Sequence, residues 1–198
     1  MRVLELFKGT GSVSKFFSNT DYEVVSLDID KKFNPTICCD ILDWDYTIYP
    51  KDYFNIIWSS PECKIYSSCQ FFHINKKYGG DMENLNKIRV DNYKFVNKVF
   101  EIIEYFNPTY WFVENPLNSA IKHAPILSDK PFIVVDYCYF GFDYQKPTRI
   151  WTNKKLEKKR CSCRKEGKKH KIRIMNDITQ DLERKYSMPQ KLLEYLFK

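Results

Sequence analysis

The sequence lacks a long apolar run, an internal repeat and a leader-like N-terminus. No window of its 198 residues reaches the roughly 20 apolar residues that a membrane-spanning helix needs. The opening "MRVLELFKGTG" shows no charged region followed by an apolar stretch and a cleavage site. We therefore expect a soluble, intracellular protein of the cytoplasm or nucleus, without membrane contact.

A disulfide framework is also lacking. The seven cysteines are odd in number and scattered through strand-like and loop-like segments, which favours reduced thiols in a reducing compartment. The chain is long enough for one α/β domain with a full core and too short for two domains of ordinary size.

The positive charge is concentrated in one segment, the basic block from Lys154 to Arg173. This block holds eight lysines, three arginines and two glutamates, a net +9, so the rest of the chain carries −2 of the overall +7. Such a block is often only a solvated face, but its interleaved cysteines and histidine favour contact with a polyanion. We predict that nucleic acid is the partner. The predicted phosphate contacts are Lys158, Lys159, Arg160, Lys168 and Lys169.

Apolar runs that end in glycines or acids recur along the chain. The first five predicted strands are residues 3–7, 22–30, 36–45, 53–60 and 109–116, and a long amphipathic helix is predicted over residues 85–106. Two later strands and a final helix follow. This alternation predicts an α/β fold: a largely parallel sheet with helices on both faces, binding ligands at the carboxyl ends of its strands.

Glycines stand where the first strand turns into the first helix, in Phe7-Lys8-Gly9-Thr10-Gly11. They allow a ligand to approach the backbone, although many α/β proteins have glycines there for turn geometry alone. Asp28, about twenty residues further on, suits a ribose, and Asp40 suits an adenine amino group; a capping or solvated acid is the alternative for each. No GxxxxGK[ST] lysine follows the glycines, so we predict a nucleoside-like cofactor without a required triphosphate.

The chain resembles the cytosine-C5 DNA methyltransferases from residue 3 to about residue 153. The motifs that carry the resemblance are Phe-x-Gly-x-Gly, Asp28, Cys-Asp-Ile at 39–41, Ser-Pro-Glu-Cys at 60–63, Glu-Asn-Pro at 114–116 and Gln-Lys-Pro-Thr-Arg-Ile-Trp at 145–151. The resemblance implies a Rossmann-like catalytic core over residues 1–153. Residues 154–175 would be a basic insert acting as a minimal recognition element, and residues 176–198 a C-terminal helix returning to the core.

The resemblance further implies S-adenosylmethionine as the cofactor and cytosine in DNA as the substrate. Cys63 would be the nucleophile that adds to carbon 6, Glu114 would act near ring nitrogen 3, and Arg149 would help hold the base and the thiolate. For Cys63 alone, a buried thiol packed under a loop is the alternative. The implied cofactor contacts are Phe7, Gly9, Gly11, Asp28, Ile29, Asp40, Ile41, Ser60 and Pro61.

The sequence departs from the family pattern in four places. Glu62 replaces the second proline of Pro-Pro-Cys, and a carboxylate beside a thiol disfavours the thiolate unless it points away. Pro147 replaces the first arginine of the Gln-x-Arg-x-Arg motif. The usual Gly-Asn near the C-terminus is absent, and only the basic block and a short linker stand where the family inserts a large target-recognition region.

Three other functions remain open on the residues. Amino-group methylation of adenine or cytosine fits Ser60-Pro61, but Cys63 then stands where an aromatic residue should be. A catalytically silent nucleic-acid-binding module would explain Glu62 and Pro147. Carbon-5 methylation of RNA also fits, since no residue identifies a reader of the 2′-hydroxyl.

Cysteines in the basic block raise the question of zinc. Cys161-Ser-Cys163 and His170 have suitable side chains, but the spacing is not the common one and a fourth ligand is not evident. We therefore predict no metal site and a flexible basic loop that contacts phosphates.

Overall fold

The computed structural model describes residues 1–170 and 182–198, and the strands there form one mixed sheet. The strands are β1 Arg2–Leu6, β2 Glu23–Asp28, β3 Ile37–Cys38, β4 Ile56–Ser59, β5 Tyr110–Pro116, β6 Phe132–Asp136 and β7 Pro147–Thr152. Their order across the sheet is β3-β2-β1-β4-β5-β7-β6. The pairs from β3 to β5 are parallel, and β7 runs antiparallel to both β5 and β6. The predicted largely parallel sheet is confirmed.

Helices cover both faces of the sheet. The described helices are α1 Ser12–Phe17, α2 Ile74–Lys77, α3 Met82–Asp91, α4 Tyr93–Phe106, α5 Leu182–Tyr186 and α6 Gln190–Phe197. Helices α1 and α6 bury their apolar side chains against one face, and α4 buries six residues against the other. Within the described residues, none of the helices is long and apolar enough to cross a membrane.

The central strands are apolar on both sides because both faces of the sheet are covered. All four residues of β4 are buried, and β1 is buried from Val3 to Leu6. Leu4 and Ile57 face the α4 side, while Val3 and Trp58 face the α1 and α6 side. The resulting two-sided core holds the carboxyl ends of these strands in fixed positions.

Two predicted elements are shorter in the structure. The helix predicted over residues 85–106 is interrupted at Asn92, whose side-chain amide donates to the Ile88 carbonyl at 2.8 Å and ends α3 there. Strand β3 has only two residues, and the following Asp40 closes a turn by accepting from the Leu42 N–H at 2.9 Å. Between β2 and β4 the described connections contain 3-10 turns instead of the predicted alternating helices.

The strand order reverses between the parallel neighbours β1 and β4. The chain continues from β1 to β2 in one direction across the sheet, and from β4 to β5 in the other. Ligands of open α/β sheets bind in the crevice beyond the carboxyl ends of strands at such a point. Residues 7–11 after β1, residues 60–63 after β4 and the end of β5 all lie at this edge. The fold therefore brings three of the predicted motifs together.

The buried face of α6 leads to a test of whether the C-terminal helix belongs to the core. Leu192 is fully buried and the adjacent Lys191 is exposed. We expect Leu192→Ala to lower the free energy of unfolding by about 2–5 kcal/mol, because it leaves a cavity under the helix. The control Lys191→Ala should stay within about 0.5 kcal/mol of the parent. Urea unfolding measures both, and equal effects would show that α6 is not part of the core.

Candidate active site

The turn after β1 uses backbone conformations that suit close approach of a ligand. Phe7, Gly9 and Gly11 have φ values of 57°, 49° and 69°, and Gly11 lies directly before the first residue of α1. A side chain at Gly11 would place its Cβ 3.2 Å from the Lys8 side chain. The left-handed φ explains why glycine is favoured here, since the flexible end of the Lys8 side chain can move away.

Asp28 holds this turn against the end of β2. One carboxylate oxygen accepts from the Gly9 N–H at 2.9 Å and the other accepts from the Asp30 N–H at 2.8 Å. The side chain of the adjacent Ile29 is 67% exposed, which is unusual for a large apolar residue beside a crevice. Asp28 thus has a structural role in addition to the predicted ribose contact, and Ile29 offers an apolar surface next to it.

The remaining predicted cofactor residues lie on neighbouring turns. Asp40 is partly exposed, whereas Ile41 is only 2% exposed and packs into the core, so any contact from Ile41 would come from its backbone. Ser60 accepts from the Trp58 ring N–H at 2.9 Å, and the Pro61 carbonyl accepts from the Asn115 side-chain amide at 2.9 Å. These bonds fix the chain between β4 and Cys63 against the end of β5.

Glu114 is a buried carboxyl group at the end of β5. It is 8% exposed, and its Oε1 atom has no hydrogen-bond partner among the described residues. Burial raises the pKa of Glu114, while the Lys146 charge and the facing hydroxyl groups of Tyr137 and Ser60 partly oppose the rise. A protonated carboxyl group at this position can donate a hydrogen bond to a ligand.

The Cys63 thiol lies close enough to Glu114 for their charges to interact. Burial is the main cause that raises the pKa of Cys63, followed by the negative charge of Glu114, whereas Lys146 lowers it. Glu62 is exposed and raises the pKa of the thiol least among these causes. The carboxylate that most affects the Cys63 thiol is therefore the buried Glu114, not the sequence neighbour Glu62.

The structure does not bring Arg149 to this pair, in contrast to the prediction. Glu114 pairs with Ile150 across β5 and β7, while Arg149 pairs with Asn115 and so points to the opposite face. The Arg149 guanidinium carbon lies 4.2 Å from the centre of the Phe132 ring, at the start of β6 and away from the carboxyl edge. Stacking on an aromatic ring stabilises it there.

Lys146 is the cation that acts on both Cys63 and Glu114. Its ammonium group also donates to the Lys185 carbonyl at 3.3 Å, which connects α5 to the site. Burial raises the pKa of Tyr186 on the same helix, and the charge of Cys63 adds to the rise. The signal for Lys146 in the sequence is its position inside Gln-Lys-Pro-Thr-Arg, whereas the family resemblance implies Arg149.

The side chains predicted to contact phosphates differ in whether they already form ion pairs within the protein. Arg160 donates to the fully buried Asp136 at 2.7 Å and so has a structural role. Lys159 is paired with Glu157 at 2.8 Å, and Lys168 with Glu166 at 2.6 Å. Lys158 and Lys169 are exposed. Residues 171–175 of the predicted insert and 176–181 of the predicted C-terminal segment lie outside the described residues.

A relative in sequence decides the family. The chain is 34% identical over 160 residues to a protein of Frog virus 3 (isolate Goorha) named "Probable DNA (cytosine-5)-methyltransferase". The match covers 77% of this chain and 71% of that protein. The chain belongs to the DNA (cytosine-5)-methyltransferase family. No protein-family model matches it.

One solved structure supports the methyltransferase fold, and a second one matches at a lower score. The structure of S. pombe Dnmt2 methyltransferase matches with a TM-score of 0.52 and 15% identity, over 79% of this chain and 53% of that one. A Spodoptera frugiperda DNMT2 mutant matches with a TM-score of 0.48 and 18% identity, over 81% of this chain and 55% of that one. The methyltransferase-family chain thus spans about half the length of these structures.

The charges around Cys63 lead to opposite expectations for two variants. Glu114→Gln removes the negative charge that Glu114 carries when ionised and so lowers the pKa of the Cys63 thiol. It should speed alkylation of the thiol by iodoacetamide severalfold at alkaline pH, where Glu114 of the parent has lost its proton. Lys146→Met removes a positive charge and should slow the alkylation. The measurement is mass spectrometry of the Cys63 peptide against time.

Glu62→Gln is the matched control, since Glu62 adjoins the thiol in sequence but is exposed. We expect a smaller change than for Glu114→Gln. Equal rates for the Glu114 and Lys146 variants would contradict the arrangement of charges described above.

Proposed function

We propose that the chain methylates carbon 5 of cytosine in DNA through a covalent bond between Cys63 and carbon 6. The observation that carries the proposal is the buried Glu114, which is close enough to the Cys63 thiol to affect its ionisation. One oxygen of Glu114 has no hydrogen-bond partner in the described part of the chain. A buried oxygen without a partner costs free energy unless a ligand pairs with it. A ring nitrogen and amino group of a bound base would satisfy that carboxyl group.

The residues at the strand-order reversal fit S-adenosylmethionine. The turn of Phe7, Gly9 and Gly11 would lie along its methionine and adenosine, Asp28 would accept from ribose hydroxyls, and Ile29 would cover the adenine. Asp40, the Ile41 backbone, Ser60 and Pro61 would complete the contacts. When bound, this cofactor supplies a methyl group that is reactive towards nucleophiles.

Cys63 and Glu114 would together make carbon 5 nucleophilic. The Cys63 thiolate would form a bond to carbon 6, and the electron pair of the 5,6 double bond would form a double bond between carbons 4 and 5. The pair of the former double bond between carbon 4 and nitrogen 3 would take the proton of Glu114 at nitrogen 3. Carbon 5 would then be the nucleophile towards the methyl group that the cofactor supplies, with a thioether as the leaving group, and the nitrogen 3 proton would return to Glu114. A base removes the proton from carbon 5, and the bond between sulfur and carbon 6 breaks to release Cys63 and the product.

The raised pKa of Glu114 suits this role, because a carboxylic acid must hold its proton at neutral pH to donate it. Burial is also the main cause that raises the pKa of Cys63, and the negative charge of an ionised Glu114 adds to the rise. Lys146 would stabilise the thiolate, which is the role that the family resemblance implies for Arg149. Arg149 would need a rearrangement of its side chain to take part.

DNA is the proposed substrate, and the target base would have to leave the helical stack for Cys63 to reach carbon 6. The exposed Lys158 and Lys169 are suited to contact phosphates beside the site. The relative in Frog virus 3 is named for DNA, which supports DNA over RNA. RNA is the alternative substrate, and covalent trapping distinguishes it from DNA.

A catalytically silent binding module is the second candidate. The observation that favours it is the Arg149 side chain, which stacks on Phe132 instead of approaching Cys63. Such a module would bind nucleic acid with strong salt dependence and transfer no methyl group.

Covalent trapping separates these functions. With S-adenosylmethionine and DNA that contains 5-fluorocytosine, we expect a denaturant-resistant adduct, because fluorine at carbon 5 blocks the elimination step. Cys63→Ala should form none, and Glu114→Gln should form it at least about 100-fold more slowly. The measurement is gel electrophoresis with labelled DNA or RNA.

An adduct on RNA alone would replace DNA by RNA as the substrate. No adduct on either nucleic acid, with binding intact, would favour the silent module. Cys69→Ala is the control for a cysteine on the loop that follows the site.

The exposed Ile29 provides a test of the cofactor site. Ile29→Ala should weaken S-adenosylmethionine binding about tenfold through the loss of buried apolar contact. Ile48→Ala is the matched control, because Ile48 is 68% exposed at a distant turn, and it should bind like the parent. Isothermal titration calorimetry measures both, and equal affinities of the two variants would remove Ile29 from the site.

A further inference from the structure

Four metal-binding side chains meet at the edge of the sheet, outside the candidate active site. Cys138 lies in the 3-10 turn after β6, and Cys161, Cys163 and His170 come from the basic block. One ligand atom from each residue lies within 4.8 Å of all the others. Cys138 is the fourth ligand that the sequence did not reveal, because it is separated from the others by β7.

We propose that Cys138, Cys161, Cys163 and His170 bind one zinc ion that fastens the basic block to the catalytic sheet. Three cysteines and one histidine are a common donor set of structural zinc sites. This metal site does not depend on the proposed methyl transfer, and none of its four residues has a part in that chemistry.

The distances are close to those of a tetrahedral site. With zinc–sulfur bonds of about 2.3 Å and a zinc–nitrogen bond of about 2.0–2.1 Å, ligand atoms lie about 3.5–3.8 Å apart. The Cys161 sulfur and the His170 Nε2 atom are already 3.4 Å apart. The widest separation, up to 4.8 Å, would need to shorten by about 1 Å, which side-chain rotation can supply.

The backbone brings the two segments together independently of the four side chains. The Lys159 carbonyl accepts from the Asp136 N–H at 2.9 Å, and the Lys159 N–H donates to the Val134 carbonyl at 3.2 Å. The fully buried Asp136 carboxylate then accepts from the Cys161 N–H at 2.9 Å. Cys161 is thereby fixed beside the turn that carries Cys138.

A tight turn returns His170 to Cys161. The Lys168 N–H donates to the Cys163 carbonyl at 2.8 Å, and Gly167 adopts a φ of 70° that favours glycine. The chain reverses between Cys163 and Lys168, so that ligands on both sides of the turn face the same point.

The described part of the basic block lacks an apolar core that could hold this turn. No residue from 157 to 170 is buried. Small segments without a core are commonly stabilised by metal ions or disulfides, and all seven cysteines of this chain are free. Three thiolates around Zn²⁺ would also leave one net negative charge, which the surrounding arginines and lysines stabilise.

The location gives the metal a role next to the active site. Cys138 follows Tyr137, a fully buried residue whose hydroxyl group faces Glu114. Zinc would fix Lys158 and Lys169 relative to this edge of the sheet, and, if the proposed function holds, would present them to nucleic acid. Loss of the metal should leave the sheet intact and release the block.

Elemental analysis of the full-length chain, purified and dialysed in metal-free buffer, tests the site. We expect one zinc per chain in the parent and loss of zinc in Cys138→Ser and Cys161→Ser. Cys69→Ser is the matched control and should keep its zinc. His170→Cys should also keep it, because four thiolates form an equally suitable site.

A second measurement uses the parent protein, so its result does not depend on whether the variants fold. Replacing zinc by Co²⁺ in the parent should produce the visible absorption bands of a tetrahedral thiolate site, and chelation should increase tryptic cleavage within residues 154–170 but not within the sheet. A parent without bound metal after growth in zinc-supplemented medium would overturn the proposal. Full zinc content in Cys138→Ser, or a disulfide between two of the three cysteines, would overturn it as well.

Discussion

Parallel pairing of β1 with both β2 and β4 is the constraint on which the site depends. In parallel strands the carboxyl ends lie at the same edge, so the turns that follow them converge although they are far apart in sequence. The pairing places the glycine turn beside Asp28 on one side and beside Cys63 on the other. Burial on both faces keeps β1 and β4 in register, which fixes these turns to the core.

Burial also sets the electrostatics of the site. Glu114 lies inside the protein at the end of β5, where desolvation favours its neutral form and where its charge opposes ionisation of Cys63. Lys146 acts against both effects. The balance among these three groups decides whether the thiol is reactive, and a bound base that pairs with Glu114 would shift it. The exposed Glu62 has less influence because water screens its charge.

The antiparallel strand β7 connects the catalytic edge to the basic block. Lys146 lies just before this strand and reaches Cys63 and Glu114, whereas Asp136 at the end of β6 holds the backbone of Cys161. The same edge of the sheet thus carries the candidate catalytic pair and the cluster of Cys138, Cys161, Cys163 and His170. Because of this proximity, even a short basic block lies near the candidate catalytic pair.

The sequence by itself determined the fold class and the approximate positions of most strands, and the family resemblance implied that Cys63 and Glu114 act together. Apolar runs that end in glycines or acids are local signals, and their order along the chain carries the resemblance to the family. It also determined the basic character of residues 154–173. These features can be read from the sequence because propensity, burial pattern and motif order depend on residues that are near one another in the chain.

Only the tertiary structure decided where individual side chains point and which residues they contact. Arg149 turns to Phe132 because its register in β7 places it on the face opposite to Glu114, and Lys146 takes the position near the thiol. Cys138 joins the cysteines of the basic block because Lys159 forms a backbone bridge to Val135 on the edge strand β6. Strand register and cross-strand pairing involve residues distant in sequence, so no local pattern could have revealed them.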